Sequence, residues 1–469
     1  MKKIILFAFI IYSFTLEAQS LSYADQAVLF SSEGNYGTAR YMGMGGAFGA
    51  LGGDMTAVEI NPAGLAVFTN SQISTTLNYQ NIDTQSTFYG SNVNSNEENF
   101  ELSQIGGVII FPIYTNSDFS KFVLGFNYNL IQDFNNNYAI NGNSDYAYFT
   151  EDPNLNFDRN SSNDVFYTNV DDQFFINHTS GFNSEFTTSI ATQYKERLFL
   201  GASMGFQNID FYQNTIYEEY NNDGNGNLLD AFNTQSLSTY GYGFNFNIGA
   251  ILKATDNLRV GLSYQSPIWY NLTERFVITD PDSVYDNTPY PWVDGQLDVI
   301  VSNSNNGYFN ETIPNFFDYE LKTPGKTTAS LAYVFGKSGL ISFDYTYQDF
   351  SNIQISPSSY FIDENNYLSQ NLSKTSSFKI GTEWNIKKIS IRGGYHYTES
   401  PYKFASTSND IMGYSAGLGL KLSNHMKLDF SFDKSTYVDQ YKIIDIDVVT
   451  PAKLNIETSH FTSTLVYNF

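Results

Sequence analysis

The feature that most constrains this chain is a series of short segments whose side chains alternate with a period of two, joined by links that are short and long in strict turn. In FTSTLVYNF, Phe461, Ser463, Leu465, Tyr467 and Phe469 share one face, and Thr462, Thr464, Val466 and Asn468 share the other. In GYSAGLGLKL, Tyr414, Ala416, Leu418, Leu420 and Leu422 oppose Ser415, Gly417, Gly419 and Lys421. A period of two belongs to a strand, and about ten residues is the length at which a tilted strand crosses a bilayer. The pattern predicts fourteen strands, near residues 70–79, 101–113, 121–132, 184–195, 197–212, 237–253, 257–275, 321–335, 339–351, 375–386, 388–399, 411–422, 425–438 and 455–469. Short links fall near 195–197, 254–257, 336–339, 386–388 and 423–424. Long links rich in Asn, Asp and Ser fall near 80–100, 133–183, 213–236, 276–320, 352–374, 400–410 and 439–454. Short turns on one side and long loops on the other are the plan of bacterial outer-membrane barrels. The fold class expected is therefore all-β, a transmembrane antiparallel β-barrel, with both barrel ends on the periplasmic side and an aromatic terminal residue, Phe469.

Composition agrees. Aromatic residues make up 17% of the chain, with 36 Tyr and 40 Phe, more rings than a soluble core needs and the number that girdles at two membrane interfaces use. The opening MKKIILFAFIIYSFTLEAQS has two lysines, an apolar run from Ile4 to Phe14 and small residues near Ala18, which reads as a signal peptide cleaved between Ala18 and Gln19. No later apolar stretch reaches the roughly 18 residues of a membrane helix. With no cysteine there is no disulfide framework and no thiolate metal site. A formal net charge of -24 argues against nucleic acid, whose phosphates demand a basic surface.

One segment departs from the strand pattern. GTARYMGMGGAFGALGGDMTAVEINPAGLAVF, residues 37–68, is rich in Gly and Ala, holds an Asn-Pro-Ala-Gly turn and does not alternate. Placed before the first strand, it starts at the periplasmic mouth and is long enough to fill a lumen. The organisation expected is a signal peptide over 1–18, a hatch or plug over 19–69 and a barrel over 70–469. The segment MGMGGAFGALGGDMTAVEINPAGLAVF resembles the hatch signature of the FadL/TodX family of outer-membrane transporters for hydrophobic compounds, in which Gly-Gly-Ala, a following Asp and Asn-Pro-Ala-Gly-Leu recur. LKTPGKTTASLAYVFGKSGLISFDYTYQDFS and FKIGTEWNIKKISIRGGYHYTESPY resemble that family's later strands. The resemblance implies a fourteen-stranded barrel with an N-terminal hatch that passes long-chain fatty acids or aromatic hydrocarbons inward without an energy source. It also implies a ligand pocket touching the hatch, beside a lateral opening in the wall. The partners expected are these hydrophobic small molecules and outer-membrane lipid, for a monomer in the cell outer membrane. A second reading makes the chain the barrel component of a protein secretion or surface-attachment system, acting through its extracellular loops. A third, resting on His396 alone, is heme-type ligand uptake.

Candidate site residues follow. Asn61, Pro62, Ala63 and Gly64 match the family's hatch turn, as a gate or as a scaffold. Met42, Met44, Phe48 and Leu51 are candidates for a greasy ligand pocket, with hatch core as the plainer role. Arg40 and Asp54 are candidates to tie the plug to the wall. Alternation turns Asp344, Lys379, Glu383, Arg392, His396, Lys421, Asp429 and Asp433 toward the lumen, where charges are expected to pair. Arg392 is the first choice for a ligand carboxylate, which its fork suits. NNDGNGNLLDAF places Asn221, Asp223, Asn225, Gly226 and Asn227 at calcium-loop positions but lacks the first and last acids, so a solvated turn is favoured over a metal site. His178, His396, His425 and His460 form no catalytic spacing. No enzyme and no cofactor is expected, although groups brought together across strands escape such a test.

Overall fold

A computed structural model describes residues 21–114, 117–151, 165–279, 298–303, 306–310, 312–444, 446 and 448–469, with side chains left aside over 276–315. The expected signal peptide lies outside the described residues. The strands are β1 Gln72–Phe88, β2 Ser91–Pro112, β3 Phe119–Asp133, β4 Asn136–Gly142, β5 Asn169–Tyr194, β6 Leu198–Asn222, β7 Leu228–Lys253, β8 Leu258–Gln265, β9 Trp269–Thr279 and β10 Asp298–Asn303. They continue as β11 Asn306–Asn310, β12 Thr312–Lys322, β13 Lys326–Val334, β14 Gly339–Asp349, β15 Gln354–Ser356, β16 Lys374–Ile386, β17 Ile389–Thr398, β18 Ile411–Lys421, β19 Met426–Tyr441 and β20 Ala452–Asn468. β3 with β4, β8 with β9, and β12 with β13 are interrupted halves of single wall strands, while β10, β11 and β15 are short additions. The wall therefore has fourteen antiparallel strands, and it closes where β1 pairs with β20 from Gln72↔Asn468 to Thr87↔Lys453. Closure leaves the sheet without a free edge strand, which hydrocarbon requires.

Along β6 the outward positions Leu198, Leu200, Ala202, Met204 and Phe206 are apolar, and from Asn208 and Asp210 onward they turn mostly polar. The lipid belt ends there, but the ladder does not. β5, β6 and β7 stay paired out to Asn169↔Asn222 and Asn222↔Leu228. The links expected over 80–100 and 213–236 are thus mostly strand, turning only near Tyr89 and Gly90 and between Asn222 and Leu228. Above the belt both faces of a strand carry polar residues, so pairing continues without the hydropathy alternation that reveals it.

Inside the wall lie four short helical pieces: α1 Tyr23–Ser31, α2 Ala39–Met42, α3 Ala57–Ile60 and a 3-10 helix Pro62–Val67. Ser22 caps α1 by accepting from the Asp25 amide at 3.2 Å. Ala24, Ala27, Val28 and Phe30 of α1 pack on Phe211 of β6, Leu237 of β7, Tyr270 of β9 and Leu321 of β12. Leu368 of a rim helix, α4 Ile362–Asn371, joins the same cluster. The 3-10 helix meets β3, β5, β6 and β7, whereas α2 meets β18, β19 and β20 across the lumen.

Candidate functional site

The hatch sits backbone to backbone on the wall, and glycines make the seat. A Cβ at Gly201 of β6 would fall 2.3 Å from the Pro62 carbonyl carbon, and one at Gly249 of β7 would fall 2.0 Å from Asn61 Oδ1. On the opposite side, a Cβ at Gly394 of β17 would lie 2.2 Å from the Gly45 nitrogen. Glycine inside a strand marks such a close approach. Asn61 is 1% exposed. Its Oδ1 accepts from the Ala63 amide at 3.1 Å, and its Nδ2 donates to the carbonyls of Gly49 at 2.8 Å and Ala250 of β7 at 3.1 Å. Pro62 opens the 3-10 helix, and Ala63, its second residue, is fully buried. Gly64 packs on Gly52, whose φ of +60° favours glycine; a Cβ at Gly64 would be 2.9 Å from the Gly52 Cα.

Polar bonds pin the same segment. The amides of Phe48 and Gly49 both donate to Asp344 Oδ2 at 2.8 Å, the Gly45 amide donates to Ser415 Oγ at 2.9 Å, and the Ala39 amide to Thr464 Oγ1 at 2.7 Å. Arg40 grips Glu383 of β16 with Nε at 2.9 Å and Nη2 at 3.2 Å. Asp54 stays within the hatch, accepting from Thr38 Oγ1 at 2.8 Å and the Thr56 amide at 3.1 Å. Glu383 also pairs with Arg392 at 2.7 Å, Arg392 with Asp429 at 2.7 Å, and Asp429 with Lys427 at 3.1 Å. Arg392 thus stands between two carboxylates of the wall, its side chain 0% exposed, and is not part of the cavity above the hatch. His396 pairs with Asp433 at 3.1 Å, and Lys421 is exposed at the end of β18. Removing one partner of a buried pair leaves an uncompensated charge. Arg392→Ala is expected to destabilise the barrel by about 3 kcal/mol, read as a lower temperature for heat-modified migration on gels.

Above the hatch a cavity of about 1490 Å³ runs from the exposed rim, at Asp363, Phe404 and Lys442, down to Tyr41, Thr56, Glu59 and Ile60. Met42, Met44, Phe48 and Leu51 do not line it. They are 0–3% exposed and pack together with Ala332 and Leu340 of the wall. The lining instead mixes Tyr, Asn, Gln and acidic side chains with apolar ones such as Leu29, Leu130, Ile131 and Phe211, with α1 along one side. Sequence reading missed Glu59, Glu185 and Lys326, because no spacing brings residues of the hatch, β5 and β13 together. Glycines inside otherwise regular strands were the one available signal for the seat.

The backbone ladder of the wall is interrupted beside this cavity. The β2–β3 ladder runs from Pro112↔Lys121 to Gln104↔Asn129 and stops. Beyond it β3 shifts register against β5 between Leu130 and Gln132 and bends inward, so that Leu130 and Phe134 are buried and Phe134 meets the rings of Phe30 and Phe211. β4 resumes on β5 alone. Side chains replace the missing ladder: Asn99 Nδ2 donates to Asp133 Oδ2 at 2.6 Å, Asn137 Nδ2 to Glu97 Oε2 at 2.6 Å, and the Ala139 amide to Ser95 Oγ at 3.1 Å. Phe100 and Leu102 are exposed on one side of the break and Phe182 and Phe186 on β5, which puts it in the upper part of the apolar belt. Residues 129–136 line both break and cavity.

The turn at Asp223 is self-contained. Its carboxylate accepts from Asn227 Nδ2 at 2.6 Å and from the amides of Asn225 at 2.8 Å and Asn227 at 3.0 Å, which hold its pKa down to about 2. Asn221 turns inward to Phe149 and Glu219, away from the turn. Among the described residues no three acids or histidines are grouped to hold a metal ion.

A closed fourteen-stranded wall, a plug seated by its backbone, and a cavity that meets both the rim and a break in the wall define a plugged outer-membrane barrel. The family model described as outer membrane protein transport protein (OMPP1/FadL/TodX) matches residues 166–462, and the chain belongs to that family. A FadL homologue of Pseudomonas aeruginosa is similar over 93% of this chain and 99% of its own, with a TM-score of 0.57 and 14% identity. The Pseudomonas putida toluene transporter TodX matches over 94% of this chain and 100% of its own, with a TM-score of 0.53 and 13% identity. The Ralstonia pickettii toluene transporter TbuX matches over 94% and 100%, with a TM-score of 0.50 and 16% identity. Identities this low carry the fold alone. No curated protein matches the chain.

Proposed function

We propose that this protein is a channel for passive uptake of hydrophobic small molecules, the class to which aromatic hydrocarbons and long-chain fatty acids belong. The observation that carries the reading is the break between β2 and β3 beside a cavity that reaches the rim. A ligand enters at the rim, settles above the hatch and leaves sideways past residues 129–136, because the seat below is filled by packed backbone. Membrane vesicles carrying the protein are expected to take up labelled toluene or oleate faster than empty ones. Rates no faster than those of empty vesicles for both ligands would remove the uptake reading and favour the surface-attachment one, which would rest on the tall polar rim of β5–β7.

The hatch turn supports a second test. Asn61→Ala/Pro62→Ala removes three hydrogen bonds and a fixed φ, each bond being worth about 1 kcal/mol. The barrel is closed by its own ladder and is expected to insert normally, with altered uptake of hydrophobic ligand. Normal insertion with unchanged uptake would make the turn scaffolding.

A further inference from the structure

The cavity is charged in a one-sided way. Among the described residues ten carboxylate side chains line it, against three lysines and no arginine. Near its floor Glu33, Glu59 and Glu185 lie within electrostatic reach of one another and of Lys326. Lys326 pairs with Glu33, which leaves the other two carboxylates without an ion pair among the described residues. Glu59 accepts only from amides, Asn127 Nδ2 at 2.6 Å and Asn129 Nδ2 at 3.0 Å. Glu185 is 4% exposed and lies over Gly205, with only the uncharged Thr187 and Gln207 as hydrogen-bonding neighbours. The remaining lysine of the lower cavity, Lys379, is held over the Tyr41 ring at 5.6 Å and donates to its hydroxyl at 3.2 Å.

A buried carboxyl without a counter-charge is costly to ionise, and a cation brought beside it favours its charged form. Here it faces a cavity that brings its own aromatic surface, since Tyr23, Tyr36, Tyr402, Tyr437 and Tyr441 line the same space. Ring faces attract organic cations, quaternary ammonium groups among them. A ligand carboxylate entering the same space meets like charge and no unengaged guanidinium.

We infer that the cavity selects hydrophobic molecules that carry a positive charge, alkyl- or arylamines and quaternary ammonium compounds, over carboxylates of equal chain length. The inference rests on the uptake reading and narrows its ligand class. The test is equilibrium binding of dodecyltrimethylammonium, dodecanol and dodecanoate to the whole protein in zwitterionic lipid nanodiscs, with empty discs subtracted. The ammonium compound is expected to bind about tenfold more tightly than dodecanoate. In Glu59→Gln/Glu185→Gln that ratio should fall toward one, and in Lys326→Met, which frees Glu33, it should rise; heat-modifiable migration checks that each variant is folded. Dodecanoate binding as tightly as the ammonium compound, or a ratio unmoved in folded variants, would overturn the inference. Dodecanol binding without any preference between the charged ligands sinks this inference and leaves the uptake reading standing, whereas no binding by any of the three sinks both.

Discussion

Filling the wall glycines beneath the hatch is expected to open the barrel. In Gly201→Leu/Gly249→Leu, side chains must occupy positions that lie 2.3 Å from the Pro62 carbonyl carbon and 2.0 Å from Asn61 Oδ1. Both contacts are to the tightly held hatch turn, so neither is relieved by swinging a flexible side chain away. Overpacking costs about 1–3 kcal/mol per site, and two sites shift the ratio of seated to unseated hatch by at least about thirtyfold. The wall is held by the ladders β5–β6 and β6–β7, which the substitutions leave intact. Planar-bilayer recordings should therefore show a steady aqueous conductance that the unaltered protein lacks. A folded, heat-modifiable variant with no added conductance would mean that the hatch does not close the pore.

Bridging the break in the wall is expected to stop uptake. The chain has no cysteine, so Asn99→Cys/Asp133→Cys introduces a single reactive pair, at positions whose side chains now bond at 2.6 Å across the gap. A short bis-methanethiosulfonate joining them pins β3 to β2 where the ladder is missing. If ligand leaves sideways there, uptake should fall about tenfold, equivalent to about 1.4 kcal/mol on the barrier, and return with reductant. The unbridged double variant serves as the reference. Continued uptake with the bridge complete would place the exit elsewhere, and the conductance experiment on the glycine seat would then decide whether it runs through the hatch.

The wall was legible because a lipid-facing strand must alternate and its turns must change sides. FTSTLVYNF and GYSAGLGLKL gave their faces directly, and β20 and β18 stand where those segments lie. The strand ends were not legible. Between Asn208 and Asn222 the outward residues include Asp210, Asn214 and Glu218 and the inward ones Gln213, Glu219 and Asn221, so neither face reads as apolar although every residue is paired. The site was legible only in part. The hatch turn carries its own signature in Asn61 and Pro62, whereas its seat is the facing pair Gly201 and Gly249 on β6 and β7, far from it in sequence. The pairing of Arg392 with Asp429, two strands away, depends on a register that alternation alone leaves open.

The rim formed by β5, β6 and β7 has a kinetic meaning. From Asn208 to Asn222 the strand β6 continues for about 50 Å past the apolar belt, which at ordinary barrel tilt lifts its tip roughly 35 Å. The cavity lining stops at Gln213 on β6 and its mouth lies at Asp363, Phe404 and Lys442, so the raised strands flank the entrance as a screen and narrow the directions from which a diffusing solute can reach it.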